Sequence, residues 1–167
     1  MKTEFGNDPS QPLSFSGYGS GNVEFANIFN DDNLTPQVKR DQFDALVEAA
    51  VTAESGAAPG TFMSVLIVGH ADRDDTPGRT PEQRRQLEHD NSDLRAESAE
   101  SFLFSQIADR LLTGGFTVPN DIESLQSLEL RRIAVGSADL LFVTPGNDEV
   151  QRQANRRVQF FGTAFTT

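Results

Sequence analysis

The sequence has 167 residues, a formal net charge of −11, thirteen Phe, no Trp and no Cys. An acidic surface of this kind argues against nucleic-acid partners and against anionic membrane surfaces, because both are bound by clustered Lys and Arg. The lack of Cys excludes disulfides, thiolate metal sites, thiol nucleophiles and a lipidated Cys.

The N-terminal segment, residues 1–21, is polar and rich in Gly, Ser and Pro. This composition predicts a flexible arm or linker. The segment lacks the basic region and the apolar stretch of a signal peptide. No part of the sequence approaches the roughly 20 apolar residues of a membrane span, so we expect no direct membrane insertion.

The first elements of the domain follow this arm. Apolar residues within 22–29 alternate imperfectly and predict a first strand. A polar turn comes next, and Thr35 with Pro36 forms a typical helix start. Apolar residues then recur at helical spacing, which predicts a helix over about 36–53.

The second half contains the clearest strand, at 62–68, where a continuous apolar run is typical of a strand buried on both faces. A charged stretch at about 73–90 contains Pro and Gly and predicts an inserted surface loop. An apolar stripe predicts a second helix over about 91–113. Further strands are predicted at 130–135 and 157–165.

The order of these elements is β-α-β-α-β-β. It indicates an α/β fold of the α+β sandwich type, in which two main helices pack on one mixed four-stranded sheet. The predicted organisation is therefore an arm at 1–21 and a single domain at 22–167, with the charged loop at about 73–90 inserted in the domain.

Three groups of residues at the ends of predicted elements form recognisable motifs. They are Phe-Asn-Asp-Asp-Asn-Leu-Thr-Pro at 29–36, Val-Gly-His-Ala-Asp at 68–72 with Ser-Asp-Leu-Arg-Ala at 92–96, and Ala-Asn-Arg-Arg-Val at 154–158. In this order they resemble motifs of the OmpA-like (OmpA/MotB C-terminal) peptidoglycan-binding domains. The resemblance covers about residues 22–165.

The resemblance implies a non-enzymatic module that anchors to the cell wall by gripping the diaminopimelate of the peptidoglycan stem peptide. It implies that Asp72 binds the ligand ammonium and Arg95 the ligand carboxylate, and we expect Asn30 and Asp31 at the rim. The chemistry agrees, because a planar guanidinium suits a carboxylate and a helix N-terminus adds positive potential. The crevice beyond the carboxyl end of a strand is also a common ligand site.

Structural roles near the site are implied for His70, at the end of a strand, and for Asn155, Arg156 and Arg157. One of these arginines is expected to pair with an acid under the sheet edge. The sequence has neither a Gly-x-Ser-x-Gly motif nor a Gly-rich phosphate motif, so no catalytic residue, metal or cofactor is predicted.

Two alternatives remain open at this stage. From Asp72 to Arg95 is 23 positions, longer than is typical of the family, and Asn91 replaces the Leu of its Leu-Ser pair. If the inserted stretch prevents ligand binding, the chain would be a structural subunit of a larger phage-like or secretion-type assembly that keeps the fold without wall binding. Its protein partners would contact residues 1–21 or the 73–90 loop.

The other alternative is a metal-dependent hydrolase that uses His70, Asp72 and Asp74. Localisation also stays open. The family resemblance suggests the periplasm or cell envelope, whereas the lack of a signal peptide and of a lipid-anchor Cys fits cytoplasmic synthesis into a particle.

Overall fold

The computed structural model describes residues 3–4, 12–143 and 148–166. The strands are β1 (Thr3–Glu4), β2 (Leu13–Ser16), β3 (Thr61–Gly69), β4 (Leu128–Ala134) and β5 (Arg157–Thr166). The helices are α1 (Phe25–Phe29), α2 (Gln37–Glu54), α3 (Pro81–Thr113) and α4 (Glu149–Asn155), and a single 3-10 turn covers Ile122–Ser124. Within the described part of the chain, no helix is long and apolar enough to cross a bilayer.

The strands form one mixed sheet in which β5 and β3 occupy the centre. β5 is antiparallel to β3, and β3 is parallel to β4. β1 and β2 both pair with the other edge of β5, β2 near its start and β1 near its end. The sheet therefore has five strands but is four strands wide. The helices α2 and α3 pack against the sheet. This confirms the predicted α/β fold, with helices packed on one mixed sheet. The predicted β-α-β-α-β-β order is followed by β2, α2, β3, α3, β4 and β5, to which the structure adds β1, α1 and α4.

The N-terminal segment contributes to the domain. Leu13 and Phe15 lie on β2, and both side chains are buried together with Tyr18. The prediction of a flexible arm is therefore wrong from Leu13 to Tyr18. The segment is polar on average, but three of its side chains are apolar and are buried in the core. The free energy gained by burying them exceeds the cost of ordering a chain that is rich in Gly and Ser. Residues 1–2 and 5–11 lie outside the described residues.

The segment predicted as the first strand, 22–29, contains the short helix α1 instead. Phe25 and Ile28 are buried, and with Phe29 they follow the i, i+3, i+4 spacing of a helix face. The first strand of the sheet order is consequently β2, earlier in the chain. The strand prediction is wrong because a short apolar run fits either period.

The charged stretch after β3 is only partly a loop. Helix α3 begins at Pro81, because Thr80 and Gln83 form a reciprocal capping box at its N-terminus. The residues up to Thr80 are irregular, whereas 81–90 are the first turns of α3. The predicted inserted loop is therefore wrong over 81–90. The helix predicted at 36–53 and the strands at 62–68, 130–135 and 157–165 are confirmed within a few residues. The helix predicted at 91–113 is confirmed with its end at Thr113, but it begins ten residues earlier than predicted.

An aromatic cluster forms the centre of the core, and its ring centroids lie 4.9–6.0 Å apart. Many of these pairs meet edge to face or tilted, the geometry that aromatic quadrupoles favour. The six rings are those of Phe15, Phe25, Phe29, Phe43, Phe102 and Phe160.

β3 and α3 are in close backbone contact at the end of β3. At Gly69, the last residue of β3, an added Cβ would lie 1.9 Å from the carbonyl oxygen of Ser92. Only Gly allows the two backbones to approach so closely. The residues just after Gly69 therefore lie beside the turn of α3 that carries Arg95.

Candidate ligand-binding site

Asp72 and Arg95 line the same cavity, which has a volume of about 360 Å³. Asp72 follows the carboxyl end of β3, and Arg95 lies inside α3, almost four turns after its first residue. Arg95 is thus not in a first helical turn, and its position owes nothing to a helix N-terminus. The cavity also receives side chains from the loop after Asp72 and from the region of α4.

The carboxylate of Asp72 is buried and already holds several partners. Its Oδ2 accepts a hydrogen bond of 2.7 Å from Nη1 of Arg152, and its Oδ1 accepts one of 2.9 Å from Nδ2 of Asn155. Nη2 of Arg156 lies 3.8 Å from Oδ2. All three partners come from α4 and the residue that follows it, so α4 determines the orientation of Asp72.

Arg95 is 2% exposed, and among the described residues its guanidinium has no carboxylate within salt-bridge distance. Nε donates to the carbonyl of Asn22 at 3.1 Å and Nη1 to the carbonyl of His70 at 2.9 Å. The guanidinium lies over the ring of Tyr18, 5.2 Å from its centroid. Burial lowers the pKa of Arg95 to about 10, so the group still carries its charge at neutral pH.

The acidic residues of the neighbouring loop have partners of their own. Arg152 pairs with Asp75 as well as with Asp72. Asp74 pairs with Arg79 at 2.7 Å, and its backbone N–H donates to Glu88 at 2.6 Å. These contacts hold the loop against α3 and α4, and both the loop and Arg95 line the cavity.

The expected rim residues Asn30 and Asp31 do not line this cavity. They follow α1, where Oδ1 of Asp31 accepts from the N–H of Asn33 at 2.8 Å and its carbonyl accepts from the N–H of Thr35 at 2.8 Å. Segment 22–29 contains α1 and is not a strand of the sheet, so the reason for expecting a rim role at its end is absent. A rim role of Asn30 and Asp31 stays a prediction.

His70 lies at the end of β3, beside the cavity. Its carbonyl holds Arg95, whereas its ring is buried and neither ring nitrogen has a hydrogen-bond partner among the described residues. Oδ2 of Asp139 lies 3.7 Å from Nδ1. In the described ranges no group of three His, Cys, Asp or Glu side chains is arranged to hold a metal ion. The hydrolase alternative thus has no supporting cluster there.

Burial, reinforced by the nearby charge of Arg157, lowers the pKa of His70 from 6.5 to about 4. The unfolded chain therefore binds a proton on this ring at higher pH than the folded protein does. Stability from this group is complete above about pH 6.5 and is lost as the pH falls towards 4.

We expect wild type to lose about 2 kcal/mol more stability than His70→Gln between about pH 7.5 and pH 5. Urea unfolding of both proteins at the two pH values measures this difference. The matched control is His89→Gln, because the His89 side chain is 59% exposed. An equal pH dependence of wild type and His70→Gln would contradict the prediction.

The residues after α4 support the site. Arg157 donates to the carboxylate of Asp139 at 2.7 Å, and Arg156 donates to Glu149 at 2.6 Å and to the carbonyl of Tyr18 at 3.2 Å. The expected pairing of an arginine with an acid is thus present. Asn155 contacts Asp72 directly, and so it also orients a side chain of the cavity.

Sequence reasoning missed Tyr18 and Arg152. Tyr18 lies in the segment predicted as an arm. It is the only Tyr of the chain, and this was the one feature of the sequence that could have drawn attention to it. Arg152 stands three positions before Asn155, and no local pattern links it to Asp72, 80 residues away.

No family model matches the chain, and neither does any curated protein. Among solved structures, the peptidoglycan-associated lipoprotein from Burkholderia pseudomallei matches at 18% identity and a TM-score of 0.44, over 93% of this chain and 97% of that one. The periplasmic domain of Helicobacter pylori MotB matches at 20% identity and a TM-score of 0.35, over 74% of this chain and 62% of that one.

A putative MotB-like protein from Desulfovibrio vulgaris matches at 17% identity and a TM-score of 0.38, over 87% of this chain and 68% of that one.

Proposed function

We propose that this chain is a non-enzymatic module that binds peptidoglycan without a covalent bond and grips the diaminopimelate of the stem peptide. One observation carries the proposal. A buried carboxylate, Asp72, and a buried guanidinium without an acidic partner, Arg95, line a single cavity. The motifs that contain both residues resemble those of a wall-binding family.

Diaminopimelate presents an ammonium and a carboxylate on one carbon. In our proposal the ligand carboxylate binds Arg95, whose charge no described side-chain carboxylate neutralises. The ligand ammonium binds Asp72. Each Asp72 oxygen accepts one close hydrogen bond from α4, and a carboxylate oxygen has a second lone pair for a further donor.

The expected affinity of one site is low. Two sets of charge-assisted hydrogen bonds contribute about 1.5–3 kcal/mol each before the cost of association. The sum of about 3–6 kcal/mol corresponds to a dissociation constant on the order of tens of micromolar to millimolar. Such an affinity suffices for an anchor, because the wall is a polymer and several sites acting together multiply the binding.

Sedimentation with purified insoluble peptidoglycan tests the proposal. We expect wild type to pellet with the wall, and Asp72→Asn and Arg95→Gln each to lower the bound fraction about tenfold, since each removes one charge-assisted contact. Asp109→Asn and Arg85→Gln change the same residue types at exposed positions outside the cavity, and they should bind as wild type does.

Free diaminopimelate should compete with the wall, and circular dichroism of each variant separates lost binding from lost folding. Binding of both cavity variants at the level of wild type would contradict the proposal. Retained wall binding without competition would remove diaminopimelate as the group that is recognised.

One observation favours the structural-subunit alternative, because Arg152 already places a cation on Asp72 and Asp75. Arg152→Ala separates the two functions. If wild type stays in solution and Arg152→Ala pellets with the wall, the binding site is present but is occupied by the protein itself. If neither protein pellets, the chain is better explained as a subunit whose partners contact its N-terminal segment or the loop after Asp72.

A further inference from the structure

Strand β4 (Leu128–Ala134) is an edge of the sheet, and in the described part of the chain no strand pairs with its outer side. A groove of about 790 Å³ follows this edge. It is lined by every residue from Leu125 to Arg132, together with side chains at the start of β3 and the end of β5. We propose that this edge pairs antiparallel with β4 of a second copy of the chain, around a two-fold axis.

The hydrogen bonds at the two ends of β4 indicate which backbone groups are available. The N–H of Met63 donates to the carbonyl of Ser127 at 2.9 Å, and the N–H of Val135 donates to the carbonyl of Gly69 at 3.1 Å. In a parallel ladder, alternate residues direct both backbone groups to the same neighbour. The residues between these ends that point away from β3 are Leu128, Leu130, Arg132 and Ala134.

The N–H of Leu128 already donates to Oε2 of Glu54 at 3.1 Å and is therefore not available. A two-fold axis at Leu130 pairs the outward groups of Leu130 in the two copies and sets the N–H of Arg132 against the carbonyl of Leu128. Leu128 then stands opposite Arg132 of the second copy, and Glu129 opposite Arg131 of the second copy. Both Glu129 and Arg131 are exposed, at 55% and 72% of their side chains, and they are already 2.8 Å apart within one strand. The symmetry produces two Glu–Arg pairs between the strands, and opposite charges at directly facing positions stabilise an antiparallel pair.

On the helix side of the edge, Arg132 offsets part of the acidic charge. α3 carries Asp93, Glu97 and Glu100 near β4, but Arg132 of the same copy donates to Glu100 at 2.9 Å and lies within 4 Å of the other two acids. Pairing also covers an open strand edge, which otherwise exposes unpaired backbone groups to other chains.

Charge reversal tests this pairing by sedimentation equilibrium. We expect wild type to show a reversible monomer–dimer equilibrium. Glu129→Arg and Arg131→Glu should each be monomeric, since each places like charges opposite one another. The double variant should dimerise again, and an equimolar mixture of the two single variants should form a mixed dimer.

The matched control is the exposed ion pair of Glu82 and Arg85 on α3, whose side chains are 75% and 68% exposed. Glu82→Arg and Arg85→Glu should leave the dimer unchanged. A wild type that stays monomeric up to about 1 mM overturns the proposal and leaves the edge to an extended peptide of another protein. Single variants that dimerise as wild type does overturn the two-fold register.

The β4 groove shares no lining residue with the cavity of Asp72 and Arg95. Wall binding and dimerisation are therefore measured on separate variants. The failure of either proposal leaves the other standing.

Discussion

Gly69→Ala is expected to lower the free energy of unfolding by about 3 kcal/mol or more. The added Cβ would lie 1.9 Å from the carbonyl oxygen of Ser92 and 3.1 Å from Cβ of Ala96. The first neighbour is helix backbone, so no side-chain rotation relieves the clash. β3 and α3 must separate, and with them the two elements that bring Asp72 and Arg95 to one cavity.

Urea unfolding measures the loss, and wall sedimentation of the folded fraction should show weaker binding as well. Gly19→Ala is the matched control, because an added Cβ there meets nothing within 4 Å and its φ is not positive. It should change stability by less than about 1 kcal/mol. If the two variants unfold at the same urea concentration, the close approach at Gly69 does not hold the site together.

The resemblance of the sequence motifs named Asp72 and Arg95 as a pair, and in the structure both line one cavity. Asp72 stands after a continuous apolar run, and such a run identifies a central strand whose carboxyl end opens onto a crevice. Arg95 belongs to the same apolar-striped helix as Ala96 and Ala99. The chain order then places the end of that strand beside that helix, which is what the structure contains.

The sequence could not reveal what else contacts Asp72. Arg152 and Asn155 reach it across about 80 residues of chain, and neither belongs to a local pattern that names its partner. Burial of a carboxylate requires compensating donors, so the need for such residues was foreseeable, although their identity was not. Tertiary packing alone decides which arginine of an arginine-rich segment faces the cavity.

The errors in the fold come from local patterns that fit two structures. Phe25, Ile28 and Phe29 satisfy helical spacing, whereas Val23 and Phe25 alone also satisfy alternation. Charge misled the prediction over 81–90, because a solvated helix face is as polar as a loop. The capping residues at Thr80 and Gln83 were the better signal for the start of α3.

Phe15→Ala is expected to lower the free energy of unfolding by about 3–5 kcal/mol, which is the cost of deleting a buried aromatic ring. The ring of Phe15 meets Phe25 at 5.1 Å, and it also contacts Phe29, Phe43 and Phe160. Its loss removes the ring contacts of β2 with α1 and β5, and the backbone pairing of β2 with β5 remains. Thermal or urea unfolding measures the change.

The same variant distinguishes an integral strand from the flexible arm that composition alone suggests. In a flexible arm the ring would be solvated in both states, and its removal would leave stability unchanged. Phe116→Ala is the matched control for the loss of a Phe ring, because Phe116 is 41% exposed and lies outside the aromatic cluster. We expect its effect to be roughly 1 kcal/mol. A Phe15→Ala effect no larger than this would mean that β2 is dispensable to the folded domain, and that the core closes without it.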